Sequence, residues 1–141
     1  MSRAEDLRRA AITLAEAEKL RLPVAPLSRS MPDLTVEEAY EISRLRIAGN
    51  GLGAIGYKLG YTSAAMRQQM GISEPNYGIL LAGSMIPDGK SIPMDELIHP
   101  LVEPEITFLL GSDLSGPDVD RDKAWEAIEA IMPSIEIVDT R

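Results

Sequence analysis

The stretch VEPEITFLL at residues 102–110 alternates so regularly that it constrains the fold more than any other segment. Successive side chains of a strand point to opposite faces. Ile106, Phe108 and Leu110 therefore share one face, and Glu103, Glu105 and Thr107 the other. The segment is apolar enough to read as core, yet it carries two carboxylates on one side. Residues i and i+2 of a strand lie about 6–7 Å apart at Cα, so two ionised carboxylates there repel. A divalent, oxygen-seeking ion such as Mg2+ or Mn2+ would relieve the repulsion, with a third carboxylate completing the protein's share. Glu136, set in the apolar run SIEIVD, is the candidate. The plainer alternative is an E-x-E alternation on a half-exposed strand, and the pair taken alone favours it.

Composition narrows the function classes. A chain of 141 residues suits one domain with a modest core. Its net charge of -8 argues against a nucleic-acid backbone binder and against an anionic membrane surface as partner. There is no cysteine, which excludes disulfides, thiolate metal sites and cysteine nucleophiles. A single histidine, His99, rules out a multi-histidine zinc site, so any metal must be a hard ion held by oxygen. The N-terminus MSRAEDLRRAAITLAEAEKL carries acidic residues and lacks the continuous apolar stretch of a signal peptide. No apolar run approaches the length of a membrane span. A cytoplasmic protein is the expectation.

Ser2 and Glu5 fit a capping box, and Leu7, Ala10, Leu14 and Ala17 then repeat at helical spacing. This predicts a helix over 3–20, ended by Pro23. The proline-rich LPVAPLSRSMPDL predicts an extended connection. Thr35 and Glu38 repeat the capping pattern and open a second helix that closes at Gly49-Asn50. In GLGAIGYKLGYTS, Ile55, Tyr57 and Leu59 alternate with Gly56, Lys58 and Gly60, a strand whose lysine side is cleared by glycines. A short helix capped by Thr62 or Ser63 should follow and stop at Gly71. Short strands are expected around 78–86 and 91–93, with a turn at Pro87-Asp88-Gly89. A helix over about 120–131, with Trp125, Ile128 and Met132 on one face, should end at Pro133 before a final strand SIEIVDTR. The resulting division is a helical region over 1–50 and an incomplete mixed β core over 51–141. A strand that runs into the C-terminus suggests truncation or pairing with a missing partner; a genuine edge strand is the alternative.

Other residues converge on the same chemistry: Lys58 in its glycine-flanked strand, Asn76 and Tyr77 in a proline turn, and Asp139 and Arg141 beside Glu136. A lysine near a chelated oxo acid could give or take a proton. An ordinary snorkelling lysine is the simpler reading of Lys58, and His99, just before a proline, reads as a structural or rim residue. The cluster GNGLGAIG imitates a dinucleotide loop, but a helix precedes it and a strand follows, the reverse of what that loop needs.

The motifs GYKLGYTSAAMRQQMGISEPNYGILL, IHPLVEPEITFLLGSDLSGP and IMPSIEIVDTR resemble, in order, those of the 2-oxo acid hydratase/decarboxylase family within the fumarylacetoacetate hydrolase-like group. The resemblance implies a mixed α/β (α+β) fold, N-terminal helices with part of a curled β core, and a chain matching the N-terminal half or slightly more of the family. It implies metal ligands at Glu103, Glu105 and Glu136 for Mg2+ or Mn2+. Lys58, Glu105, Ser63 and Asn76 would act in catalysis, and Lys58, Thr62, Tyr77 and Arg141 would bind substrate. Asn76 stands where many hydratases carry aspartate, Thr140 replaces a serine of the closing motif, and Leu101 stands where decarboxylases carry a cation. The implied activity is a lyase that moves protons on a small 2-oxo or 2-hydroxydienoate acid from aromatic meta-cleavage, foremost a hydratase. The alternatives are a 4-oxalocrotonate-type decarboxylase, hydrolysis of an acylpyruvate, and an inert fragment that needs a partner. A homo-oligomer or a pathway partner subunit is the implied association.

Overall fold

The computed structural model describes residues 2–140. In chain order it comprises α1 (Arg3–Leu20), α2 (Leu27–Ser30), α3 (Val36–Asn50), β1 (Ala54–Gly60), α4 (Ala64–Met70), β2 (Asn76–Leu81), a 3-10 turn (Met94–Glu96), β3 (Pro100–Leu110), α5 (Arg121–Glu126) and β4 (Ile128–Asp139). This is a mixed α/β chain in two units: Met1–Leu20 with Val24–Pro93, and Arg21–Pro23 with Met94–Arg141. Among the described residues no helix is long and apolar enough to cross a membrane.

The first unit is organised by α1 and α3. The Ser2–Glu5 capping pair forms, with Ser2 N–H donating to Glu5 Oε2 at 2.7 Å. Thr35 and Glu38 make a full capping box at the start of α3, which closes on Gly51 in the left-handed region. The two helices bury Leu7, Ala10, Ala11 and Ile42 between them, flanked by Leu14, Leu27, Met31, Leu34 and Leu45. Arg3 clamps the Glu38 carboxylate through Nε at 2.7 Å and Nη2 at 2.6 Å. α2 adds one helical turn inside the connection expected to be fully extended. Its Leu27 and the following Met31 pack on the helix pair, which gives the chain a reason to coil there. β1 and β2 pair antiparallel, Lys58 opposite Gly78 and Tyr57 opposite Ile79. Tyr40 of α3 stacks on Tyr77 with ring centroids 4.5 Å apart and accepts a hydrogen bond from the Tyr77 N–H. Ser63, rather than Thr62, caps α4, and Gly71 ends it with positive φ. The turn at Asp88-Gly89 forms, but residues 91–93 make no strand.

The second unit is a long antiparallel ladder of β3 and β4. The helix expected to reach residue 131 stops at Glu126, and β4 occupies the remainder. Gly111 N–H takes the Ala127 carbonyl at 2.8 Å, an acceptor the next helical turn would have used. Beyond it, Ile128 and Ile131 favour strand, and Pro133 would break a helix interior. Trp125 is consequently solvent-exposed instead of packed.

The larger departure is burial. Ile106, Phe108 and Leu110, read as a core face, are about half exposed or more, as are Val102, Ile131 and Ile135. Residues directly opposite in a ladder share a face. Val102, Pro104, Ile106 and Phe108 therefore join Ile131, Pro133, Ile135 and Ile137 in one continuous apolar surface. In this chain the alternation is real, but nothing among the described residues covers it.

The Arg3–Glu38 clamp makes a pH prediction. The guanidinium and the Thr35 backbone N–H hold the Glu38 carboxyl at about 2, against an ordinary 4.5. A folded value below the unfolded one stabilises above the unfolded value and is lost as pH falls through the folded one. Chemical denaturation followed by circular dichroism should show stability declining between about pH 4.5 and 2, and Glu38→Gln should flatten that decline. An unchanged pH profile in the variant would contradict the assignment.

Candidate metal centre

β3 and β4 bring three carboxylates together. Glu103 stands directly opposite Glu136, and Glu105, two residues along, stands opposite Ser134. All three acidic side chains therefore project from one face, the reverse of the apolar one. Carboxylate oxygens of Glu103, Glu105 and Glu136 lie within 4.8 Å of one another. Like charges facing each other across a ladder destabilise it. Two oxygens bound to one Mg2+ or Ca2+ ion can be at most about 4–5 Å apart, so the cluster fits a single hard dication after minor side-chain adjustment. The donor set, all carboxylate oxygen, suits magnesium, calcium or manganese and not zinc.

Two polar contacts tie the ladder, one on the acidic face and one at its open end. Thr107 Oγ1 and Ser134 Oγ share a hydrogen bond at 2.6 Å on the same face. Asp139, opposite Pro100 at the open end, accepts from the Ile98 N–H at 3.0 Å and the His99 N–H at 2.7 Å. His99 thus enters the structure through its backbone. Ser134 opened the expected strand SIEIVDTR but was not singled out, because its neighbours Glu105 and Thr107 lie on a strand distant in sequence. Once β4 is a strand, its two-residue spacing from Glu136 places Ser134 on the acidic face.

Lys58, Thr62, Ser63, Asn76 and Tyr77 lie in the first unit. On β1 and β2, Lys58, Gly60, Asn76 and Gly78 share one face. The Lys58 stem lies across Gly78, where an added Cβ would meet its Cγ at 3.0 Å, and the Asn76 amide lies over Gly60, where a Cβ would collide with Oδ1. Gly60 and Gly78 are therefore space for these two side chains. Tyr77 is on the opposite face, against Tyr40, beside a cavity of about 170 Å3 lined also by Ser43, Arg44 and Tyr57. Lys58 and Tyr77 thus do not share a surface of the ladder. Ser63 Oγ accepts from the Met66 N–H as a helix cap. The Thr62 carbonyl accepts from Arg67 Nη1, which also holds the Tyr61 carbonyl. Arg67, which the sequence analysis passed over, fixes this loop. Arg141 lies outside the described residues.

Known proteins resemble the chain over about half their length. It is 38% identical over 132 residues to 2-oxo-hept-4-ene-1,7-dioate hydratase of Escherichia coli, an alignment that takes in 91% of this chain and 49% of the relative. Two solved structures of 4-oxalocrotonate decarboxylase from Pseudomonas putida G7 superpose on 99% of this chain. The one with calcium and acetate has a TM-score of 0.90 at 28% identity over 55% of its own chain. The one with magnesium and adipate has 0.88 at 30% over 54%. No family model matches the chain.

Facing carboxylates should weaken the ladder when no cation is present. Glu103→Gln is expected to raise metal-free stability by about 0.2–1 kcal/mol and to abolish any further gain on adding Mg2+. Urea denaturation with and without the ion measures both effects. A variant less stable than the parent without metal would show that the three acids do not repel as described.

Proposed function

Because this chain is related in sequence and fold to the 2-oxo acid hydratases and decarboxylases over about half of their length, we propose that it carries the metal-binding part of a lyase of that kind. The substrate in this reading is a small 2-oxo or 2-hydroxydienoate acid from aromatic meta-cleavage, and the reaction is hydration. The observation that carries the reading is the meeting of Glu103, Glu105 and Glu136 on one face of one ladder.

Each residue has a stated part. The three carboxylates hold Mg2+ or Mn2+. When bound, the ion supplies positive charge to the carboxylate and adjacent oxo group of the acid, where negative charge develops during proton transfer. Glu105, the second of the two on β3, orients water. Lys58 gives or takes the proton, a role that rests on the likeness of its G-x-K-x-G strand to the family motif. Asn76 offers an amide that can hydrogen-bond a substrate oxygen but cannot exchange a proton as aspartate would. Ser63 supports the same step, with Thr62, Tyr77 and Arg141 contacting substrate. Decarboxylation is the second reading, favoured by the likeness to the two decarboxylase structures. Both reactions use the same stabilised charge, so one site serves either.

The reading also includes association, with a second copy or a pathway partner subunit, in the cytoplasm. Its support is the uncovered apolar face of β3 and β4 together with the half-length match.

The test is turnover of a 2-hydroxydienoate monoacid and of an oxalocrotonate-like diacid, with and without Mg2+ or Mn2+. Native mass spectrometry reports the assembly under the same conditions. The reading expects ion-dependent conversion, abolished by Glu105→Gln in a variant that keeps its circular dichroism spectrum, and an assembly larger than 15.4 kDa. Conversion indifferent to chelator would overturn the metal reading. An active 15.4 kDa monomer would remove the requirement for a partner.

A further inference from the structure

Whether the three acids meet depends on the pairing register of β3 and β4, and the usual devices that fix register are weak here. A tight hairpin turn sets register through its own geometry. β3 and β4 are joined instead by residues 111–127, a long connection that contains α5. Burial of one face normally punishes a slip, but both faces of this ladder are largely exposed. A slip by two residues preserves the apolar alternation entirely. In one direction it moves Glu136 from Glu103 to a place opposite Leu101, leaving Glu103 opposite Ser134 and Glu105 opposite Met132. That slip also removes the direct opposition of Glu103 and Glu136, leaving them diagonal neighbours. Without the cation, charge pushes the ladder away from the register that builds the site.

We propose that Asp139 is a positioning residue that holds the β3–β4 register in which Glu103, Glu105 and Glu136 converge. Its carboxylate spans the Ile98 and His99 N–H groups, with contacts of 3.0 and 3.1 Å to the first and 2.7 Å to the second. β3 begins at Pro100, which has no N–H of its own, so this carboxylate ties the approach to β3 directly to the end of β4. Charge-assisted bonds to two successive donors are strong for a side chain, and they are made from a position opposite Pro100; the slip would set Asp139 opposite Ile98, where neither contact keeps this geometry. The Thr107–Ser134 hydroxyl bond acts in the same sense further along. Asp139 touches no part of the acid cluster in this account; it acts through the ladder. Only its effect on metal affinity rests on the metal reading proposed above.

The chain contains no cysteine, so engineered pairs report register cleanly. Val102→Cys with Ile137→Cys are directly opposite and fall within the roughly 4.4–6.8 Å Cα separation a disulfide requires. Val102→Cys with Ile135→Cys become opposite only after the slip. With Asp139 intact, mild oxidation should close the first pair and leave the second open. With Asp139→Ala, the first pair should close several-fold more slowly and the second should close. In the cysteine-free background, Mn2+ affinity measured by calorimetry should fall about tenfold on Asp139→Ala, the low end of the losses seen when support for metal ligands is removed. Installing the oxidised Val102–Ile137 cross-link should restore it. Unchanged cross-linking yields on Asp139→Ala would overturn the proposal, as would an affinity loss that the cross-link fails to rescue. If the parent chain binds no Mn2+, the metal reading falls, and the cross-linking yields alone still decide the role of Asp139.

Discussion

The structure turns on one electrostatic conflict: Glu103 and Glu136 face each other across two strands, with Glu105 beside them. A ladder gains from cross-strand pairs of opposite charge or apolar contact and loses from like charges. Three carboxylates on one patch are therefore a cost to the bare fold and an asset only to a cation. The rest of the second unit can be understood as geometry that sustains this arrangement. The strands are long, the ladder is nearly continuous, and polar side chains tie it at its open end and partway along. The apolar residues that might have occupied the acidic positions are gathered on the reverse face.

That reverse face shows how little of the chain is a finished core. The firm packing is between α1 and α3, where Ile42 is almost wholly buried. Val102, Ile106, Phe108, Ile131 and Ile135 form a surface of the kind soluble proteins seldom leave open. The chain spans about half the length of the relatives it matches. The first unit obeys a different logic. Its ladder gives one face to aromatic packing against α3 and clears the other with glycines, so that Lys58 and Asn76 can lie across it.

Local signals were legible wherever the chemistry was local. Both capping boxes, the glycine stop after α4, and the strand alternations at 54–60 and 100–110 could be read directly, because each rests on residues close in sequence; α3 runs through the expected Gly49-Asn50 stop and closes on Gly51 instead. The acidic triad was legible too, since carboxylates in apolar strands demand a partner. The span 120–131 was misread because Trp125, Ile128 and Met132 match helical spacing. The long backbone pairing with β3, a tertiary effect invisible to a short window, draws residues from 128 onward into strand. The opposing faces of Lys58 and Tyr77 follow from a register that no local pattern states. The parts of Asp139 and Ser134 likewise depend on which residue of a distant strand lies alongside.

The most direct test of the central claim is anomalous diffraction from crystals of the chain grown with Mn2+. A single strong peak within bonding distance of carboxylate oxygens from Glu103, Glu105 and Glu136 is the result predicted. Ordered density for those side chains with the manganese bound elsewhere, or no peak at saturating ion, would contradict it.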